Sequence, residues 1–389
     1  MKILVLNSGS SSIKYALFDM NTHNAEISGL IESIGSKGSQ HNYLVTSNHL
    51  KKKQVTYNEV ADHKQGLQIV FQILNQLNLI TNSADLFCIG HRVVHGGERF
   101  PQPTVVTHSV LEEIKQMIPL APLHNPANLL GIEEAIAYAP NTPQVAIFDT
   151  AFHQTIPDYA FQYAVPHDWY TQLAVRRYGF HGTSHLYVAK QVAKSLNKPL
   201  ESLNIISLHL GNGASMAAIK QGKSIDTSMG TRSGDLDPAI IFYLQDKLGL
   251  TNSEIKTALN KESGLKGICN ESDMRAVHQL AEAGNKQAQL ALSMVSYRIK
   301  KYIGAYFAVL GQVDAIVFTG GIGENDAVLR EICCSGLQLF GVAIDGDKNQ
   351  QAKAEMRAIE QESMPVKILV IATNEELEIA LQAKSCLQV

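Results

Sequence analysis

The sequence predicts an α/β protein made of two related halves, and three observations carry that prediction. Short β-rich runs alternate with longer helical stretches, one strand-turn-strand pattern occurs twice, and 389 residues are too many for one ordinary core. The β-rich runs are Ile3 to Leu6, Val145 to Phe148, Ile205 to Leu208, Ile316 to Phe318 and Ile368 to Ile371. Each is short, branched or aromatic in character and bounded by polar or glycine residues, the signature of buried strands. The longest helical stretch runs from Gln287 to Leu310. Its apolar residues Leu292, Val295, Ile299, Tyr302 and Tyr306 recur at three-to-four spacing and are read as a core-facing stripe.

The repeat pairs Val5-Leu6-Asn7-Ser8-Gly9-Ser10-Ser11-Ser12-Ile13-Lys14 with Ser207-Leu208-His209-Leu210-Gly211-Asn212-Gly213-Ala214-Ser215-Met216. Both lead in with an apolar strand and turn through glycine and small polar residues, which leave backbone N–H groups uncovered. If the two halves face one another, the paired turns would grip one nucleotide's phosphates from opposite sides of a cleft. The join is placed just after Asp149. That gives an N-terminal lobe of residues 1–150, a C-terminal nucleotide-binding lobe of 151–374, and a last helix from about 375 to 389 that packs back on the first lobe.

Composition excludes several classes. A formal net charge of -3 with 18% charged residues offers no field for gathering nucleic acid, and the basic run Lys51-Lys52-Lys53 reads as solvated surface. The five cysteines, Cys88, Cys269, Cys333, Cys334 and Cys386, are odd in number and form no Cys-x-x-Cys pair. They predict reduced thiols in a cytoplasmic protein, without a disulfide framework or a zinc site. At the N-terminus only Ile3 to Leu6 are continuously apolar, too short for a signal sequence or a membrane span. No membrane partner is expected.

Phosphate handling is read first at Ser10, Ser12 and Lys14, where unobstructed amides, hydroxyls and a cation meet in one turn. The alternative there is a plain hairpin. The turn at Gly211, Asn212 and Gly213 repeats the device. A third glycine-rich element, Thr319-Gly320-Gly321-Ile322-Gly323-Glu324-Asn325, follows the run Ala315 to Phe318. Its glycines would let backbone approach a purine or ribose closely; without an acidic ribose partner at the expected distance, it is not a Rossmann fingerprint. Among polar residues able to order an anionic transition state stand Arg92, His124, Asp149, His181, His209 and Arg232. Asp149 ends a predicted strand, a common position for catalytic or metal-binding carboxylates. His91 and His95, four apart in strand-like sequence, have no ligand logic.

The segment Arg176-Arg177-Tyr178-Gly179-Phe180-His181-Gly182-Thr183-Ser184-His185 resembles the signature of the acetate and propionate kinase family. So do Asn7 to Lys14, His91-Arg92-Val93-Val94-His95-Gly96-Gly97 and Gly320 to Asn325. The resemblance implies two duplicated actin-like (ribonuclease H-like) lobes with a nucleotide cleft between them, and a magnesium- or manganese-dependent transfer of the ATP γ-phosphoryl group to acetate, giving acetyl phosphate and ADP. It also implies that the turn from His209 and Leu210 through Gly213, together with Gly321, Ile322, Gly323, Glu324 and Asn325, lines the nucleotide site. Asp273, Met274 and Arg275 would lie beside the base and ribose, and Asn7 and Glu375 would hold the metal. Glu375 has a second reading, because Thr373 and Glu376 have the spacing of a helix capping box.

On the acid side the resemblance gives Arg92 and His124 to the substrate's oxygens, and Val94, Leu123 and Phe180 to a small pocket for its methyl group. Arg92, His181 and Arg232 would stabilise the transition state, with Asp149 orienting the metal or its waters, in a homodimeric enzyme. The nearest rival is another acyl kinase, acting on propionate or butyrate, and a nucleotide switch of the actin or chaperone kind and a sugar kinase are the rivals from other classes. The chain departs from the family at one place. Relatives carry a Thr-Pro-Leu-Glu-Gly loop that here is missing, since Asp226-Thr227-Ser228-Met229-Gly230 runs directly into Thr231-Arg232. A wider acyl pocket and a relaxed chain-length preference are expected from that loss.

Overall fold

Lys2–Ser8 (β1) forms the first strand because both of its faces find apolar cover, with Ile3 and Val5 on one side and Leu4 and Leu6 on the other. It turns at Gly9–Ser12, where the Gly9 amide donates to the Ser12 carbonyl (2.8 Å), into Ser12–Asp19 (β2). Asn24–Glu32 (β3), Gln40–Val45 (β4) and Lys51–Thr56 (β5) continue the antiparallel meander, and Leu86–Val93 (β6), Thr104–Val105 (β7) and Gln144–Phe148 (β8) complete an eight-stranded sheet. The computed structural model describes residues 1–46, 51–228, 230–351 and 354–388.

The chain divides into two compact units, one of residues 1–154, 182–187 and 374–389, the other of 155–181 and 188–373. The division after the first strands thus falls beyond Asp149, at Gln154. The short return 182–187, which sequence reasoning placed in the second lobe, belongs to the first. The second unit carries Asn204–Leu210 (β9), Ala214–Lys220 (β10), Lys223–Thr227 (β11), Ala315–Thr319 (β12), Met356–Ala358 (β13) and Lys367–Ile371 (β14).

The two sheets share an order. The first runs β5-β4-β3-β2-β1-β6-β8-β7 and the second β11-β10-β9-β12-β14-β13. In each, an antiparallel meander, of five strands in the first sheet and three in the second, is followed by two strands parallel to its first member, then by a short antiparallel edge strand. The twofold occurrence of one strand-turn-strand pattern in the sequence is therefore the trace of a duplicated α/β fold, each copy of the actin-like (ribonuclease H-like) order.

Helices His63–Gln76 and Asn125–Tyr138 cover one face of the first sheet, through Leu67, Phe71, Leu74 and Ala135. The C-terminal helix Glu375–Leu387 covers the other, placing Ile379, Ala380 and Ala383 against Ile3, Val5, Cys88 and Ile147. Each fully buried aliphatic side chain contributes about 1.5–3 kcal/mol, so this last helix is held by burial. The expected helix from Gln287 begins one residue earlier, as Lys286–Leu310, and its buried stripe runs through Ala288, Ala291, Ile299, Ile303, Tyr306 and Leu310. Leu292, Val295 and Tyr302 are only partly buried. In the basic run Lys53 is exposed, while the side chains of Lys51 and Lys52 lie outside the described residues.

His91 and His41 are among the buried histidines of the first unit. His91 hydrogen-bonds Gln144 (2.7 Å) and His41 hydrogen-bonds the Tyr15 hydroxyl (2.9 Å). Burial pushes both down to about 4. Above pH 6.5 the ring is neutral folded or unfolded. As pH falls from there toward 4 only the unfolded chain takes up the proton, so stability is lost over that window, by about 2 kcal/mol per histidine at pH 5. Urea midpoints at pH 7 and 5 measure this. The fall is expected to be smaller in His91→Gln, and an equal fall in the two proteins would remove His91 from the account.

Candidate active site

Parallel pairing of β1, β6 and β8 brings their C-terminal ends to one edge of the first sheet, the edge at which α/β folds place ligands. Asn7 stands near the end of β1, Arg92 near the end of β6, and Asp149 just past β8. Their side chains meet. The Arg92 guanidinium forks onto Asp149, with Nε 3.2 Å from Oδ1 and Nη2 2.5 Å from Oδ2, while Nη1 donates to Asn7 Oδ1 (3.3 Å). Glu375 Oε2 lies 4.0 Å from Arg92 Nε. Asp149 is 1% exposed and Arg92 19%.

Burial would lower the arginine's proton affinity, but the carboxylates of Asp149 and Glu375 outweigh it and hold the cation firmly charged. Burial raises Glu375, against the pull of Arg92, with Asp149 and Glu376 adding to the rise. His124 opens the Asn125–Tyr138 helix without capping it. Partial burial and then the Arg92 charge lower its ring, against Asp149. Val94 is buried beside this cluster, its amide bonded to Asn128 Oδ1 (3.0 Å), whereas Leu123 is 52% exposed.

Lys14, expected at the phosphates, reaches Glu376 instead, with Nζ 2.5 Å from Oε1. Glu376 is not part of a capping box. The cap of the last helix is Asn374, whose side chain accepts from the Leu377 amide, so the expected Thr373–Glu376 box does not form. Glu375 is thereby the first residue of the helix, turned toward Arg92. Ser10 is exposed and Ser12 half-buried in the first turn, where His63 Nε2 holds the Gly9 carbonyl (2.6 Å) and Asn128 Nδ2 the Ser8 carbonyl (2.7 Å).

In the second unit β9 and β12 are parallel neighbours, with Thr319 opposite His209, so the Gly211–Gly213 turn and the Gly320–Asn325 segment emerge at the same edge. They touch. Gly320 has φ +76°, and a Cβ there would stand 2.7 Å from the Leu210 carbonyl oxygen, so only glycine permits this approach. A Cβ on Gly213 would stand 2.9 Å from His181 Nε2. That glycine makes room for an imidazole rather than for a phosphate alone. The His181 ring stacks on His209, centroids 4.3 Å apart, and its Nδ1 is 2.8 Å from Ser215 Oγ. His181 itself holds left-handed backbone at φ 55°, a strained conformation of the kind that collects at functional sites.

Arg232 is exposed and its guanidinium contacts the Asn212 carbonyl. Met229, in the shortened connection before it, lies outside the described residues. Asp273 caps the helix Met274–Glu282 and pairs with Arg275 on the surface (2.5 Å), but the Met274 side chain is buried in the unit's core. Phe180 lies in the second unit, Val94 and Leu123 in the first. Sequence reasoning missed Asn125, Asn128, His63 and Ser215, which tie these segments together. The only signal was the Asn-Pro-Ala-Asn run beside His124, whose polar residues at i and i+3 share one helix face.

A duplicated α/β fold with an arginine–carboxylate cluster at one set of strand ends and converging glycine turns at the other defines a phosphotransferase of the actin-like class. More narrowly, the model of the Acetokinase family matches residues 2–381, and the chain belongs to that family. The acetate kinase of Sulfurovum sp. (strain NBC37-1) is 50% identical over 395 residues, covering 99% of this chain and 98% of that protein. Among solved structures, the acetate kinase of Porphyromonas gingivalis superposes with a TM-score of 0.92 at 38% identity, covering 99% of each chain. A propionate kinase from Francisella tularensis gives 0.90 at 43%, covering 98% of each.

Proposed function

We propose that the protein catalyses reversible transfer of the γ-phosphoryl group of ATP to acetate, giving acetyl phosphate and ADP by direct in-line displacement. The observation that carries this reading is Arg92, a half-buried cation fixed by Asp149 and Asn7 at the strand ends. It is a receptor for an anionic acceptor, with no side chain needed as base. Acetate is already ionised near neutral pH, so its oxygen attacks phosphorus without prior deprotonation. The work left to the protein is alignment and charge stabilisation.

Arg92 orients the carboxylate with the guanidinium edge not taken by Asp149, and Val94, Leu123 and Phe180 accept the methyl group. His124 sits beside the reacting oxygens. His181 and Arg232 meet charge on the equatorial phosphoryl oxygens, the first held by Ser215 and the second at Asn212. Nucleotide binds on the side of His209 to Gly213, Gly321 to Asn325, and Asp273 to Arg275.

A divalent ion, Mg2+ or Mn2+, fits the first cluster. Among the described residues no three His, Cys, Asp or Glu side chains gather as a metal centre. Two carboxylates and one amide oxygen beside Arg92 are instead the sparse hard-oxygen set that magnesium takes when phosphate and water complete its shell. Asn7 and Glu375 would hold it and Asp149 would orient its waters. Such an ion would neutralise phosphate charge.

Parallel assays of phosphoryl transfer from ATP to acetate, propionate, butyrate and glycerol, read as the phosphorylated product and ADP, test the reading. Turnover with acetate is expected and none with glycerol; product from glycerol alone would replace it by a sugar-kinase reading, and ATP hydrolysis without transfer by a nucleotide switch. The missing loop favours a second acceptor. With Thr227 ending β11 and Arg232 soon after, propionate is expected within about tenfold of acetate in kcat/KM, since a methylene discriminates by only about 10–200-fold even in a closed pocket. A sharper preference would refute the wider pocket.

The chain works as a homodimer in the cytoplasm. Its five cysteines are free, and among the described residues no helix is long and apolar enough to cross a membrane. The helix Ala239–Leu248 has no buried residue and exposes Phe242 (65%), Tyr243 (61%) and Leu248 (66%) around its circumference, apolar surface that asks for a partner. Sedimentation of the wild type as a dimer and of Phe242→Glu/Tyr243→Glu as a monomer is expected. A dimer in both would move the interface elsewhere.

A further inference from the structure

Arg330 is 1% exposed, yet its guanidinium meets only neutral acceptors. Nε donates to Asn349 Oδ1 (2.8 Å), Nη2 to the Asn349 carbonyl (3.0 Å) and Nη1 to the Gly323 carbonyl (2.8 Å). Burial lowers the group to about 10, with Arg357 adding to the effect, so it stays charged at neutral pH. A buried cation without a carboxylate on its fork is expensive, and a methionine would fill the same space at less cost. Something other than packing retains it.

What Arg330 holds is the back of the glycine-rich segment Gly320–Asn325. The next carbonyl, of Glu324, accepts from Arg357 Nη2 (3.0 Å). The Glu324 carboxylate turns back to the Gly320 amide (3.1 Å) and the Thr373 amide (3.3 Å), and Asn325 Nδ2 donates to the Gly321 carbonyl (2.6 Å). The opposite side is open, because a Cβ on Gly321 would meet nothing within 4 Å. A run of glycines has many backbone conformations to lose, and here its peptide groups are pinned from one side only.

The structure assigns to Arg330 and Arg357 a positioning role: they clamp the Gly323 and Glu324 carbonyls so that the glycine-rich segment presents one fixed backbone face to the nucleotide. This rests on the reading that the segment lines the nucleotide site. Neither arginine touches the ligand. Their effect is to remove in advance the ordering cost that binding would otherwise bear.

The test is calorimetric titration of ADP, with KM for ATP and for acetate, in Arg330→Met, Arg330→Lys, Arg357→Met and Gly321→Val. Arg330→Met is expected to weaken ADP about 10- to 100-fold, the range for one lost hydrogen bond to a charged group, while KM for acetate stays unchanged. Arg330→Lys, which keeps the charge without the fork, is expected between wild type and Arg330→Met. A merely structural arginine would lower melting temperature and active fraction but leave the ADP affinity of the folded protein intact, and that result overturns the proposal. Should Arg330→Met fail to fold, Arg357→Met at its half-buried position decides, with about tenfold weaker ADP expected for its single bond, the low end of the same range; unchanged affinity sinks the clamp. Gly321→Val separates the two levels. If it weakens ADP while the arginine variants do not, the positioning role is wrong and the nucleotide site stands, whereas unchanged ADP affinity in Gly321→Val removes the site itself.

Discussion

Arg92→Ala is expected to lower kcat by about a hundred- to a thousandfold, the loss that follows removal of one preorganised donor from a developing oxyanion. The magnitude comes from where the guanidinium stands. It is largely withdrawn from water, aligned by Asp149 on two nitrogens and by Asn7 on the third, so no reorganisation is needed as charge builds. KM for acetate is expected to rise as well, and KM for ATP little. Arg92→Lys keeps the charge but not the planar fork and should recover only a small part of the rate. Steady-state kinetics with both substrates measure this, and near-wild-type turnover in Arg92→Ala would remove arginine from the chemistry.

The second large effect is at Asp149. Its side chain is 1% exposed and is the fork partner of Arg92, so Asp149→Ala leaves a half-buried cation without its carboxylate, a change that costs about 3–5 kcal/mol of stability. Turnover is expected to fall by at least about a hundredfold, because Arg92 loses the carboxylate that orients its fork. The pairing makes a sharper claim than either variant alone. In Arg92→Ala/Asp149→Ala neither member of the forked pair is left behind, so urea denaturation should show the double variant more stable than Asp149→Ala, a coupling expected of residues in direct contact. Penalties that simply add would show that the ion pair does not hold this corner together.

Much of this site was legible along the chain because its parts are short and local. A strand that ends in a polar residue and turns through glycine reads the same at Asn7 to Lys14 and at His209 to Ser215, and both are hairpins in the structure. Arg92, Asp149, His181 and Glu375 were singled out without coordinates. Other positions make contacts that the sequence did not indicate. Lys14 shares the phosphate turn's sequence but alternates onto the strand face that meets Glu376. Thr373 and Glu376 have capping-box spacing, but Asn374 takes the cap one residue later. Met274 was expected beside the base and ribose, and its apolar side chain lies in the core of the second unit.

Strand character, the duplicated halves, the glycine turns and the family are local properties, set by side-chain alternation, backbone freedom and residue order, and they could be read before any fold was known. Which donors face which acceptors could not. That Arg92 spends its fork on Asp149, that Asn128 bridges the Ser8 carbonyl and the Val94 amide, and that Gly213 yields to His181 all depend on segments far apart in sequence being brought side by side. A parallel pairing such as β1 with β6 leaves no short-range mark in the chain, so only the tertiary structure decides what meets at its end.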